Sequence, residues 1–196
     1  MSNKKTDNAM RNLFIEKIYN LCDGKKAEEV FLTYIKSDGT QDDITYRSFG
    51  LKCELLMQKF QKSILHRKDR VLLLTPMSPF GCIAVTALAI SELVSVVLNP
   101  QLPEEELDSL VKKSDISGIV CDEEIYQKYA YKWTQKYPVF NIKTGDLFHD
   151  REYFSEPSKD SDDVLAILYS SGTTSEPKGV MITYEAQMKS AELLLR

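Results

Sequence analysis

Apolar positions along this chain of 196 residues change their spacing repeatedly, and each change marks a new element. In "MRNLFIEKIYNLC" (10–22), Leu13, Ile18 and Leu21 recur at loose helical spacing. "VFLTYIKSDGTQDDITY" (30–46) puts β-rich residues on each side of Ser37-Asp38-Gly39-Thr40, and Asp-Gly between such runs predicts a hairpin. Thr45 then caps a long helix whose stripe is Phe49, Cys53, Leu56, Phe60 and Ile64, spaced by fours and threes. "DRVLLLTP" is a short, nearly continuous apolar run closed by Pro76, the pattern of a strand covered on both faces.

The alternation then continues. Ser78 to Glu92 reads as a helix, "SVVLNP" as a buried strand, and "LPEEELDSLVKKSD" as a helix. In that helix Pro103 sits at the first turn, Glu104, Glu105 and Glu106 meet the positive dipole end, and Lys112 and Lys113 lie in the last turn. "SGIVCD" is a strand, "YQKYAYKWTQKY" a helix with a packing face of Tyr126, Tyr129, Tyr131, Trp133 and Tyr137, and "PVFNI" a strand. "TGDLFHDREYFSEPSKDSDD" (144–163) is polar and without sustained period. After it, "VLAILYSS" is again a buried-strand run. Strands alternating with helices predict an α/β fold with a mostly parallel, doubly wound sheet flanked by helices. The expected organisation is a first lobe over 1–150, a polar linker over 151–163, and the start of a second lobe over 164–196.

Composition narrows the class. The chain is 43% hydrophobic and 28% charged, as ordinary globular proteins are. A net charge of -4, with both signs interleaved, gives no face for nucleic acid. The longest uninterrupted apolar stretch, 80–90, is too short to span a bilayer, and no apolar segment backs the two early lysines as a secretory signal would. Cys22, Cys53, Cys82 and Cys121 are far apart and only two histidines accompany them, so neither a disulfide framework nor a zinc site is expected. Free thiols in a reducing cytoplasm are expected instead. His66 and His149 read as solvated surface residues, and the acidic "PEEEL" as a helix start rather than a metal site.

The chemistry concentrates after the last buried run. Ser170, Ser171, Gly172, Thr173, Thr174 and Ser175 stand at the carboxyl end of that strand, where open α/β sheets bind ligands. Gly172 lets backbone approach a phosphate, and the hydroxyls add donors to the backbone N–H groups. Pro177 stiffens the turn, and Lys178 supplies a mobile point charge. These are the parts of a polyphosphate cradle. A Walker loop is excluded, because Lys178 is followed by Gly179 and a β-like "VMIT" rather than by Ser or Thr opening a helix.

"LYSSGTTSEPKGVMITYEAQ" (168–187) resembles the signature phosphate loop of the adenylate-forming enzymes, which include acyl-CoA synthetases, nonribosomal-peptide adenylation domains and luciferase. "ITYRSFGLKCELLMQKF" (44–60) resembles that family's Thr-Tyr-x-Glu-Leu helix. Residues 68–90 and 94–123 resemble the core strand, helix, strand and following Pro-rich run of its first lobe. Ser175 stands where the family usually has a second loop glycine, Tyr184 where it commonly has His, and Ala186 where it has Asn.

The resemblance implies a two-step reaction. A small-molecule carboxylate, a fatty acid being one example, attacks the α-phosphorus of ATP carried with Mg2+, giving an acyl-adenylate and pyrophosphate. Coenzyme A or the phosphopantetheine of a carrier protein then takes the acyl group as a thioester. In that scheme Ser170 to Ser175 wrap the β- and γ-phosphates and Lys178 neutralises the departing pyrophosphate. The family's adenine pocket, acidic Mg2+ ligand, ribose-binding Asp and catalytic Lys have no counterpart here. The expectation is therefore an N-terminal fragment with no complete catalytic set and no activity of its own. A non-catalytic nucleotide- or phosphate-binding module, and an interaction protein with a vestigial loop, stand as alternatives. Leu193, Leu194, Leu195 and the last strand edge are expected to lack cover and to drive self-association.

Overall fold

The computed structural model describes residues 16–76, 78–141, 164–170 and 177–194. Residues 16–23 are helical (α1) and carry Cys22 into the core, with Ile18 packed at its margin. The hairpin of β1 (Val30–Ile35) and β2 (Gln41–Thr45) is antiparallel. Its turn closes where expected: Gly39 adopts a φ of 84°, and the Asp38 carboxylate accepts the Thr40 N–H at 2.9 Å. Thr45 caps α2 (Tyr46–Gln61), its Oγ1 accepting the Ser48 N–H at 3.2 Å. Phe49, Cys53, Leu56 and Phe60 bury as the stripe predicts, but Ile64 does not. The helix ends at Gln61 and Ile64 is 75% exposed.

Six strands form the main sheet in the order β6 (Val139–Phe140), β5 (Gly118–Cys121), β3 (Arg70–Leu74), β4 (Val94–Val97), β7 (Val164–Ser170) and β8 (Lys178–Thr183). The first five are parallel and β8 runs antiparallel to β7. α3 (Pro79–Ile90) joins β3 to β4, α4 (Glu104–Lys113) joins β4 to β5, and α5 (Glu123–Trp133) joins β5 to β6. The chain thus steps from β3 to its neighbour β4, then returns across β3 to β5. Right-handed crossovers send the helices of these opposite steps to opposite faces.

The core is divided accordingly. Val71, Leu73, Val120 and Phe140 pack with α2 and α3, whereas Leu72, Leu74, Val96, Ile119 and Cys121 pack with α4 and α5. Alternate residues of β3 face different layers, so all four of its apolar positions are buried and the run has no polar side. Of the five aromatics expected to form a packing face, Tyr129 and Trp133 are 4% exposed and stacked at 4.9 Å between ring centroids, whereas Tyr126 and Tyr137 are only partly buried. α5 begins at Glu123, earlier than the aromatic pattern predicts, because the Asp122 carboxylate accepts the Ile125 N–H at 2.9 Å. Pro103 precedes α4 as its N-cap. α6 (Tyr184–Leu194) folds back from β8, and the Tyr184 hydroxyl donates to the Ala89 carbonyl of α3 at 2.8 Å. His66 is exposed as expected; His149 and the polar run 144–163 lie outside the described residues.

Candidate functional site

The sheet fixes where its chemistry can be. β3, β4, β5, β6 and β7 all end at one rim, and the winding reverses at β3, leaving the crevice between β3 and β5 typical of ligand sites in such sheets. Thr75 follows β3 there. Its Oγ1 lies 3.1 Å from an Asp122 oxygen beyond β5 and 3.3 Å from Ser78 Oγ before α3. Asn141 follows β6, donates to Glu123 at 2.6 Å, and accepts from Lys59 Nζ through its carbonyl at 2.7 Å. Thr75, Ser78, Asp122 and Asn141 were not singled out in the sequence, although Thr75, Asp122 and Asn141 are each the first polar residue after a buried run.

Two of the seven residues assigned to the phosphate cradle are described. Ser170 ends β7 and Lys178 begins β8, and the two are Cα partners across the strand pair. The connection between them therefore starts and ends at the carboxyl rim of the parallel strands. Ser171, Gly172, Thr173, Thr174 and Ser175 lie outside the described residues. Lys178 is exposed at this rim.

The strand pair behind this mouth is tightly fitted. Tyr169 pairs with Gly179, and a Cβ at Gly179 would stand 3.0 Å from Ile167 Cγ2 and 3.5 Å from Tyr169 Cζ. A side chain at 179 would press on the Ile167 methyl, so glycine eases the approach of β8 to β7 beside Lys178. The Tyr169 hydroxyl reaches the far layer and meets Ser114 Oγ, at the C-cap of α4, at 3.0 Å. Ser114 gives its own proton to the Leu110 carbonyl at 2.6 Å, which leaves Tyr169 as donor to Ser114.

Other reactive groups are held away from such work. Burial, then the nearby Asp122 and Glu123 carboxylates, push the Cys121 thiol up to about 12. Burial likewise raises Cys53, with Cys22 and Glu54 adding to it. All four thiols are free, as the sequence predicts. The cleft lined by Tyr19, Cys22, Arg47, Gly50, Glu54 and Ile90 is at the other end of the molecule, because α3 runs opposite to the strands. Among the described residues no three His, Cys, Asp or Glu side chains gather to hold a metal, and no helix is long and apolar enough to cross a membrane.

The chain is similar to several known proteins. 4-Coumarate–CoA ligase 2 of Petroselinum crispum is 28% identical over 161 residues, covering 77% of this chain and 30% of that protein. Malformin synthetase of Aspergillus vadensis is 25% identical over 156 residues, covering 80% of this chain and 3% of that one. The fatty acid AMP ligase structure from Legionella pneumophila superposes with a TM-score of 0.73 at 16% identity, over 98% of this chain and 33% of that chain. The chain thus spans about a third or less of the length of these relatives. A family model described as AMP-binding enzyme matches residues 22–194, and the chain belongs to that adenylate-forming family.

Proposed function

We propose that this chain forms the polyphosphate-gripping part of an ATP-dependent carboxylate-activating ligase, one that makes an acyl-adenylate and passes the acyl group to a thiol. One observation carries the reading: the Ser/Thr/Gly connection begins at Ser170 and ends at Lys178, paired at the carboxyl rim of a parallel sheet. Backbone N–H groups, the hydroxyls of Ser170, Ser171, Thr173, Thr174 and Ser175, and the Lys178 ammonium are the donors that a triphosphate tail needs. Gly172 gives it room. Negative charge grows on the leaving pyrophosphate as the adenylate forms, so donors fixed at that place act on the transition state.

The described residues fit a nucleotide that brings its own divalent ion. They present a cation at the mouth of the connection, suited to phosphate oxygens that arrive carrying Mg2+. Mg2+ so bound would neutralise phosphate charge during transfer. The activated acid would be a small-molecule carboxylate, and the acceptor thiol coenzyme A or carrier-bound phosphopantetheine.

The affinity of the grip alone is modest. Three or four charge-assisted hydrogen bonds at about 1.5–3 kcal/mol each are set against about 4–15 kcal/mol for immobilising a free nucleotide. Millimolar binding is the expected outcome. Titration of Mg-ATP followed by 31P NMR should show it, and Lys178→Ala should remove it. Carboxylate-dependent pyrophosphate exchange by this chain should not exceed the Lys178→Ala background. Absence of any binding at 10-millimolar scale overturns the reading, and micromolar affinity without exchange favours a non-catalytic nucleotide-binding module.

A further inference from the structure

The pairing of β7 with β8 carries two registers. Val164 pairs with Thr183, but Ala166 pairs with Ile182, so β7 advances two residues where β8 advances one. A bulge near Leu165 absorbs the extra residue, and every pair from Ala166 to Ser170 follows the shifted register. A one-residue slip across a strand pair moves every side chain to the other face. Continuing the Val164 register to the rim would turn Lys178 away from the face it shares with Val180 and Ile182. Something at the rim end must therefore hold the shifted register.

We propose that Tyr169, anchored through its hydroxyl to Ser114, is the positioning residue that fixes this register and so places Lys178 at the mouth of the connection. Three contacts assign it. The Tyr169 ring lies against Gly179, the residue next to Lys178, where a Cβ would stand 3.5 Å from Tyr169 Cζ and 3.0 Å from Ile167 Cγ2. Its hydroxyl is tied at 3.0 Å to Ser114, which is itself bonded to Leu110 of α4. α4 is in turn joined to α5, since Lys132 Nζ donates to Glu104 at 2.6 Å and to Asp108 at 2.5 Å. A shift of β8 along β7 would bring a residue with a Cβ opposite Tyr169, pressing it on the Ile167 methyl beside the tethered ring. The inference rests on the polyphosphate reading for the role of Lys178, but not for the register itself.

The test compares the wild-type chain with Tyr169→Phe and Lys178→Ala, using amide hydrogen exchange and 31P titration with inorganic tripolyphosphate. Tyr169→Phe keeps the ring and removes only the hydroxyl. It should speed exchange at whichever of Gly179 and Val180 turns its N–H toward β7 by roughly threefold to tenfold while leaving the β3 amides unchanged. Tripolyphosphate affinity should fall by a similar factor. Lys178→Ala should abolish binding with exchange unaltered. Unchanged exchange at Gly179 and Val180 in Tyr169→Phe overturns the tether. Faster exchange with unchanged affinity overturns its service to Lys178. A wild-type chain that ignores tripolyphosphate overturns the functional reading, and exchange then decides the tether by itself.

Discussion

Ser95 offers a perturbation whose sign runs against intuition. It lies in β4, flanked by Val71 of β3 and Ala166 of β7, and none of it is exposed. Val96 faces the α4 layer, so Ser95 points to the α3 side, where its Oγ has no hydrogen-bond partner among the described residues. A buried hydroxyl left unsatisfied costs about 1–3 kcal/mol. Ser95→Ala removes that cost and leaves a void of one oxygen, worth about 0.3 kcal/mol at roughly 24 cal/mol per Å3. The weaker strand preference of Ala takes back a few tenths more, at about 0.3 kcal/mol. The net gain is about 0.5–2 kcal/mol. With a urea slope of about 2 kcal/mol per molar, the midpoint should rise by roughly 0.25–1 M at unchanged slope. Ser114→Ala is the internal contrast. That serine is also buried, but its hydroxyl is bonded to Leu110 and Tyr169, and its removal should lower the midpoint. If Ser95→Ala destabilises as Ser114→Ala does, the account of Ser95 as an unpaired group is wrong.

Two further outcomes follow from burial and from the sheet edge. Cys121 and Tyr19 are each pushed up to about 12, chiefly by burial, so the folded chain keeps protons that the unfolded chain sheds from about pH 9 for the thiol. Stability should thus be complete below pH 9 and decline above it, Cys121 alone removing about 2 kcal/mol by pH 10.5; a urea midpoint flat between pH 8 and 10.5 contradicts this. β8 is the last strand of its sheet, Val180 and Met181 are 52% and 67% exposed, and Leu193 and Leu194 of α6 are 69% and 85% exposed. We propose self-association through this edge, lowered by Met181→Lys; light scattering that finds a monomer at high protein concentration refutes it.

What could be read from the chain was what its local pattern encodes. Runs without a polar side gave β3, β4 and β5, because each is covered by helices on both faces, and Thr45 showed the start of α2 because a cap is a local contact. The misplaced end of α2 is also local. The stripe continues by arithmetic to Ile64, but Ser63 donates to the Phe60 carbonyl at 2.5 Å and accepts the Leu65 N–H at 3.2 Å, a competing bond pattern that closes the helix first. Asp122 was hidden differently, since its capping role depends on β5 ending at Cys121.

Partner choice was the part no local pattern carried. Residues 164–170 read as a buried strand, but nothing in them names β4 as their neighbour, or shows that β7 and β8 extend the same sheet as β3 to β6. The same holds at the site. Ser, Thr, Gly and Lys announce phosphate chemistry because those residue types are the chemistry, and their order along the chain is enough. The hold on Lys178 is spread over Tyr169, Gly179 and Ser114, and Ser114 lies 55 positions from the tyrosine it bonds. A serine at the end of α4 reads as a helix terminus and nothing more. Its second bond turns a C-cap into a support for the opposite edge of the sheet. Substitutions at 114 should therefore be limited by the strand pair as well as by the helix, and Ser114→Gly, which still suits a helix end, should loosen β8 as much as Ser114→Ala does.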